Sequence, residues 1–136
     1  MTDCLFCKIA AKQIPAQVVY EDEKTIAFFD IRPSAPGHTM VIPKYHAQIL
    51  LELPDAEIEP LFSAVQKVAD MLVKKLKADG ITVGINQGRA SGQEVDHLHV
   101  HLMPRWLGDG GHAVQSVVHN LPKEGLEEIR KKIIGN

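Results

Sequence analysis

The chain has 136 residues, 45% hydrophobic and 24% charged, with 15 Lys and Arg against 17 Asp and Glu for a formal net charge of −2. Such a length suits one domain, 1–136, with a real core, and such a composition excludes disordered and collagen-like chains. The near-neutral balance excludes a broad basic surface for nucleic acid or anionic lipid, and no apolar run approaches the roughly 18 residues of a membrane span, so a cytoplasmic protein without nucleic-acid or membrane partners is expected.

Cys4 and Cys7 open the chain in a C-x-x-C spacing. In a reducing compartment such a pair reads as a redox motif or as half of a metal site. Residues 4–12 suit a short helix, which Ile14-Pro15 ends. Val18 to Tyr20 and Thr25 to Phe29 are β-branched and aromatic runs around the polar turn Glu21 to Lys24, which predicts a hairpin. The breaker-rich loop Arg32 to Gly37 delivers a strand over His38 to Pro43.

One long helix is predicted after Pro54-Asp55. Leu61, Val65, Val68, Leu72 and Leu76 recur at steps of three and four, with Phe62, Ala69 and Val73 widening the stripe. Acidic residues crowd its start and lysines its end, Gly80 is the expected stop, and Pro60 is expected to kink or delay the first turn. A strand over Ile81 to Asn86, a Gly/Ser loop over Gly88 to Gly92 and a last strand over His97 to Met103 follow, and 122–134 suits a short, charged C-terminal helix. Hairpins outnumber βαβ units, which points to an α+β class around an antiparallel sheet.

The chemistry centres on His97-Leu98-His99-Val100-His101-Leu102-Met103. On a strand, residues two apart share a face about 6.5 Å apart. The three imidazoles would therefore line one side while Leu98, Val100 and Leu102 enter the core. Such a row is open to three readings. It is a solvated or hydrogen-bonded face without a role, a Zn²⁺ centre, or a nucleophilic site in which one histidine attacks phosphorus. Histidine suits the last because neutral and protonated rings coexist near neutral pH, and crowding opposes charging all three.

The run Ser91 to Arg105, with its alternating histidines, resembles the signature of the histidine-triad (HIT) family. The resemblance continues through Ala27 to Ile31, Pro36 to Thr39 and Val41 to Lys44, and covers about 3–105, leaving 106–136 as an extension. It implies a five-stranded antiparallel sheet with one long helix and short terminal helices, usually paired into a homodimer with a continuous sheet. The implied activity is hydrolysis or transfer at the α-phosphate of purine nucleotides, either nucleoside phosphoramidates or dinucleoside polyphosphates, through a covalent nucleotidyl-histidine.

By the same resemblance His99 is the nucleophile, His101 contacts the scissile phosphate and bridging atom, and His38 sets the triad's tautomer. Asn86, Gln93 and the Val95 amide would hold the phosphate and leaving group. Asp30 would accept from the ribose hydroxyls, and Leu5, Phe6, Ile9, Phe28 and Ile31 would form the slot for the base. Glu94 departs from the eukaryotic Hint-like branch, which has Ser or Thr there; a carboxylate would repel phosphate and is expected to point away. Family members with Cys-x-x-Cys at this position carry a structural zinc, whose ligands here would be Cys4, Cys7, His46 and His97. No acidic cluster implies a catalytic Mg²⁺. The rivals are a zinc-dependent hydrolase with the triad as ligands, and a nucleotide-binding protein without catalysis. Arg89 and Arg105 are candidate phosphate contacts that read mainly as solvated, His112 and His119 read as loop residues, and Trp106 as a candidate subunit contact.

Overall fold

The computed structural model describes residues 3–136. Its elements are α1 (Leu5–Ala10), β1 (Val18–Glu21), β2 (Thr25–Phe29), β3 (Thr39–Pro43), α2 (Asp55–Leu76), β4 (Gly80–Gly84), β5 (Val100–Arg105) and α3 (Leu126–Ile134). The strands form one five-stranded antiparallel sheet in the order β1-β2-β3-β5-β4. The expected α+β class and sheet are therefore present.

Alternation sorts the central strands onto two faces. Ala27, Val41, Val100 and Leu102 point to one side, where the α2 stripe of Leu61, Val65, Val68 and Leu72 covers them. Ile26, Phe28, Met40 and Ile42 point to the other, under Phe6 and Ile9 of α1. β3 is buried at every position, so it reads in sequence as a continuous apolar run.

Several predicted boundaries need correction. α2 runs through Pro60 from Asp55. Proline there removes only the bond to the carbonyl of Ala56, an exposed residue in the first turn whose carbonyl water can satisfy. The helix ends not at Gly80 but on Lys77, in the left-handed conformation at φ 54°, with its N–H bonded to the Val73 carbonyl. Gly80 instead begins β4, which stops at Gly84, so Ile85 and Asn86 leave the sheet.

β5 starts three residues later than expected, at Val100. Before it, the Leu98 amide bonds the Ala47 carbonyl at 2.7 Å, so the segment is held by a loop rather than by a strand ladder. Beyond Leu102, β5 pairs only with β4, and Pro104 falls where no β3 partner needs an N–H. The extension is exposed almost throughout, and α3 buries none of its residues. Among the described residues no helix is long and apolar enough to cross a membrane.

Candidate active site

Three imidazoles meet beside β5, and their partners select the nitrogen that carries the hydrogen in the neutral form of each ring. A carbonyl can only accept and an amide can only donate. His99 Nδ1 lies 2.7 Å from the His97 carbonyl, so Nδ1 bears the hydrogen and Nε2 keeps its lone pair. The Ser34 amide donates to His38 Nδ1 at 3.0 Å, which puts the His38 hydrogen on Nε2. That hydrogen faces His101 Nδ1 at 2.8 Å, leaving His101 with a donor at Nε2. A bare acceptor on His99 thus sits beside a donor on His101, with ring centroids 5.0 Å apart.

Burial pushes His101 down to about 4, and the nearby His99 and His38 rings lower it further. Burial also lowers His38, against the pull of Asp30, whose Oδ2 is 3.8 Å from His38 Nε2. Both rings are neutral at neutral pH, as the hydrogen-bond chain requires.

The expected row of three is a pair plus one. His97 turns away from His99 and His101 toward the N-terminal cysteines, because it precedes β5. Its Nε2 donates to the Pro43 carbonyl at 2.8 Å, and its Nδ1 faces Cys4 Sγ at 3.3 Å and Cys7 Sγ at 3.5 Å. Cys7 Sγ is also 3.2 Å from His46 Nδ1. The four donor atoms lie within 4.8 Å of one another. Tetrahedral zinc with ordinary Zn–S and Zn–N bonds separates its ligands by about 3.5 Å, so these residues fit the ion. Burial drives His97 to about 4 and keeps it a neutral ligand. Burial, the hydrogen bond with Cys4 and the charge of Cys4 push the Cys7 thiol up to about 11, an effect a divalent cation reverses.

The remaining predicted residues fall into three groups. Phe6, Ile9 and Phe28 are buried together, with Phe6 edge-on to His99 at 5.2 Å between centroids. Leu5 and Ile31 stand on the surface, Ile31 at 94% exposure, as open apolar groups beside that cluster's chain segments. Asp30 accepts from the Arg32 amide through Oδ1. Gln93 is buried with its amide fully engaged: Nε2 donates to the Gln48 and Val95 carbonyls, and Oε1 accepts from the Gly88 amide. With these bonds the side chain shapes the loop that carries Val95. Val95 is half-buried against the Phe6 cluster. Asn86 shares with His101 a cavity of about 550 Å³ that also contains Val114, Ser116 and Val117.

Sequence reading missed two ion pairs that shape this region. Arg89 is not simply solvated: it grips both Asp96 oxygens at 3.0 and 3.2 Å and the Gln93 and Glu94 carbonyls, folding the 88–96 loop. Arg105 pairs with Asp109 at 2.7 Å. An Arg seven residues before an Asp, and another four residues before one, were the available signals. Glu94 turns to solvent, 3.2 Å from Arg32.

Residues 11–108 match the HIT domain family. The chain is 46% identical over 132 residues to an uncharacterized HIT-like protein of Methanocaldococcus jannaschii, covering 97% of this chain and 99% of that one. It is 40% identical over 102 residues to an adenosine 5′-monophosphoramidase of Saccharomyces cerevisiae, covering 75% of this chain and 62% of that one. A zinc-bound histidine triad family protein of Mycobacterium smegmatis superposes with a TM-score of 0.76 at 35% identity, covering 95% and 89% of the two chains. With its histidines on this sheet and these relatives across most of its length, the chain belongs to the histidine-triad family, whose named members include nucleotide hydrolases.

Proposed function

We propose that the protein cleaves purine nucleotides at the α-phosphate, hydrolysing nucleoside phosphoramidates or dinucleoside polyphosphates through a nucleotidyl-His99 intermediate. The observation that carries this reading is the bond from His99 Nδ1 to the His97 carbonyl, which leaves Nε2 as a lone pair next to the His101 donor.

In the first step His99 Nε2 bonds to the α-phosphorus and the bond from phosphorus to the leaving group breaks. His101 Nε2–H donates a hydrogen bond to the departing atom, which takes its proton from solvent. The His97 carbonyl stabilises the positive ring formed on His99 through the Nδ1–H bond. In the second step water bonds to phosphorus and releases its proton to solvent, and the phosphorus–nitrogen bond breaks to regenerate His99. His38 holds His101 in the donating tautomer throughout. The Val95 amide is assigned to the oxygens that gain charge. Phe6, Ile9 and Phe28 form the floor of the base slot, Leu5 and Ile31 its rim, and Asp30 accepts from the ribose.

Cys4, Cys7, His46 and His97 hold a zinc ion that fastens α1 to the catalytic segment. All four positions are filled by protein donors, as in a structural site. The protein acts in the cytoplasm as a homodimer, with the free edge of β4 as the surface for a second copy; light scattering at twice the chain mass is the expected readout.

The test is a rapid-quench incubation with α-³²P adenosine phosphoramidate. Wild type should carry an acid-labile, base-stable label that His99→Ala and His99→Gly lack. Turnover without label that collapses on chelation sinks the covalent reading in favour of metal catalysis. Nucleotide binding with neither label nor turnover leaves a binding protein.

A further inference from the structure

We propose that Arg32 and Glu94 are positioning residues, an ionic strap across the mouth of the nucleotide slot that opens to admit the nucleoside and shuts over it. The inference rests on the reading of Phe6 and Phe28 as the floor of that slot and of Asp30 as its ribose acceptor. Arg32 Nη2 lies 3.2 Å from Glu94 Oε2, a contact between residues 62 positions apart. Among the described residues no other hydrogen bond or ion pair joins the 30–37 loop to the 88–96 loop.

Both loops rise from the same floor. Phe6 is edge-on to Phe28 at 5.3 Å and to His99 at 5.2 Å between centroids. The chain leaves Phe28 for Asp30, whose Oδ1 accepts from the Arg32 amide at 2.9 Å, so a fixed turn sets Arg32 beside the ribose acceptor. Val95 packs on the cluster that contains Phe6, and Glu94 precedes it. Arg89 Nη1 donates to the Gln93 and Glu94 carbonyls and holds that backbone still. A path from Phe28 through Asp30 and Arg32 to Glu94, Val95 and Phe6 is therefore closed, and one of its links is a salt bridge. A nucleoside resting on the Phe6–Phe28 floor is enclosed by that ring.

The salt bridge is the link that can break. Its side chains are 81% and 76% exposed, so water and salt screen the pair and opening costs little. The pairing also answers the carboxylate at position 94. Unpaired beside the Val95 amide, Glu94 would repel phosphate; with Arg32 against it, that charge is neutralised. Asp96, the other carboxylate of the loop, is taken by Arg89 at 3.0 Å in the same way. Retention by the strap comes from closing contact around the nucleoside, so it does not depend on the ligand's own charge.

The experiment measures calorimetric dissociation constants of the zinc-loaded chain for uncharged adenosine and for AMP, with KM and kcat on adenosine phosphoramidate. Arg32→Ala and Glu94→Ala should each weaken adenosine binding about threefold, although they change the charge in opposite directions. The reversed pair, Arg32→Glu with Glu94→Arg, should restore most of that affinity. In the single variants KM should rise in step while kcat stays nearly constant, the mark of uniform binding lost. Raising NaCl from about 50 to about 500 mM should weaken adenosine binding to wild type more than to either single variant. Unchanged adenosine affinity in both single variants, or a reversed pair as weak as they are, overturns the strap. A loss confined to AMP in Arg32→Ala also overturns it, since Arg32 is then a phosphate contact. If wild type binds neither adenosine nor AMP, the slot reading falls, and this one with it.

Discussion

His38, His99 and His101 each commit one nitrogen to a partner that dictates the proton on the other. Removing the Nε2–H of His38 frees His101 to place its hydrogen on Nδ1, the nitrogen away from substrate. His38→Phe should therefore reduce kcat roughly 100-fold with little change in KM, the lower range for a lost hydrogen-bond donor to developing charge; steady-state kinetics on an adenosine phosphoramidate checks this. The same burial predicts a pH dependence of stability. The unfolded ring takes a proton near its ordinary value of 6.5, whereas folded His101 resists until about 4. The unfolded state thus binds more protons in that window, and stability is full above it and declines as pH falls through it. Thermal melts at pH 7.5 and 5 should show a smaller drop for His101→Asn than for wild type.

Elements were legible wherever one face alternates. Ala27, Val41 and Val100 against Ile26, Phe28 and Met40 carry the period of a two-sided sheet. The α2 stripe likewise needed no partner to be seen, although its ends did. The start of β5 was not legible, because His97 to His99 alternate as a strand does yet find their partners in Pro43 and the Ala47 loop. Position in a ladder is a property of two segments, and one segment does not contain it. The loop before β3 gives a sharper test of local geometry. Gly37 has φ +80°, and a Cβ there would lie 2.4 Å from Leu76 Cδ1. Gly37→Ala should cost about 1–2 kcal/mol through the left-handed backbone, before any crowding of α2. Urea unfolding of the variant reads this directly, and an unchanged midpoint contradicts it.

Across the whole molecule, residues 4, 7, 46 and 97 come from a helix start, a loop and the approach to β5. A metal there would tie the N-terminal segment to the histidine-bearing segment before β5. Metal analysis should give one zinc per chain, and Cys7→Ser or prolonged chelation should lower Tm by roughly 5–10 °C, the equivalent of about 2 kcal/mol at this size. An equal Tm with and without zinc rules out a structural role for the ion. By itself the sequence determined the class and most strand and helix positions, and it singled out the histidines and cysteines that the fold brings together, because periodicity and residue chemistry are local. Only the tertiary structure decided which imidazole nitrogen faces what, how near the donor atoms of Cys4, Cys7, His46 and His97 lie, and that Gln93, Arg89 and Arg105 shape loops. Those assignments depend on carbonyls and carboxylates brought in from elsewhere in the chain, and direction and distance between such groups exist only once the sheet has closed around them.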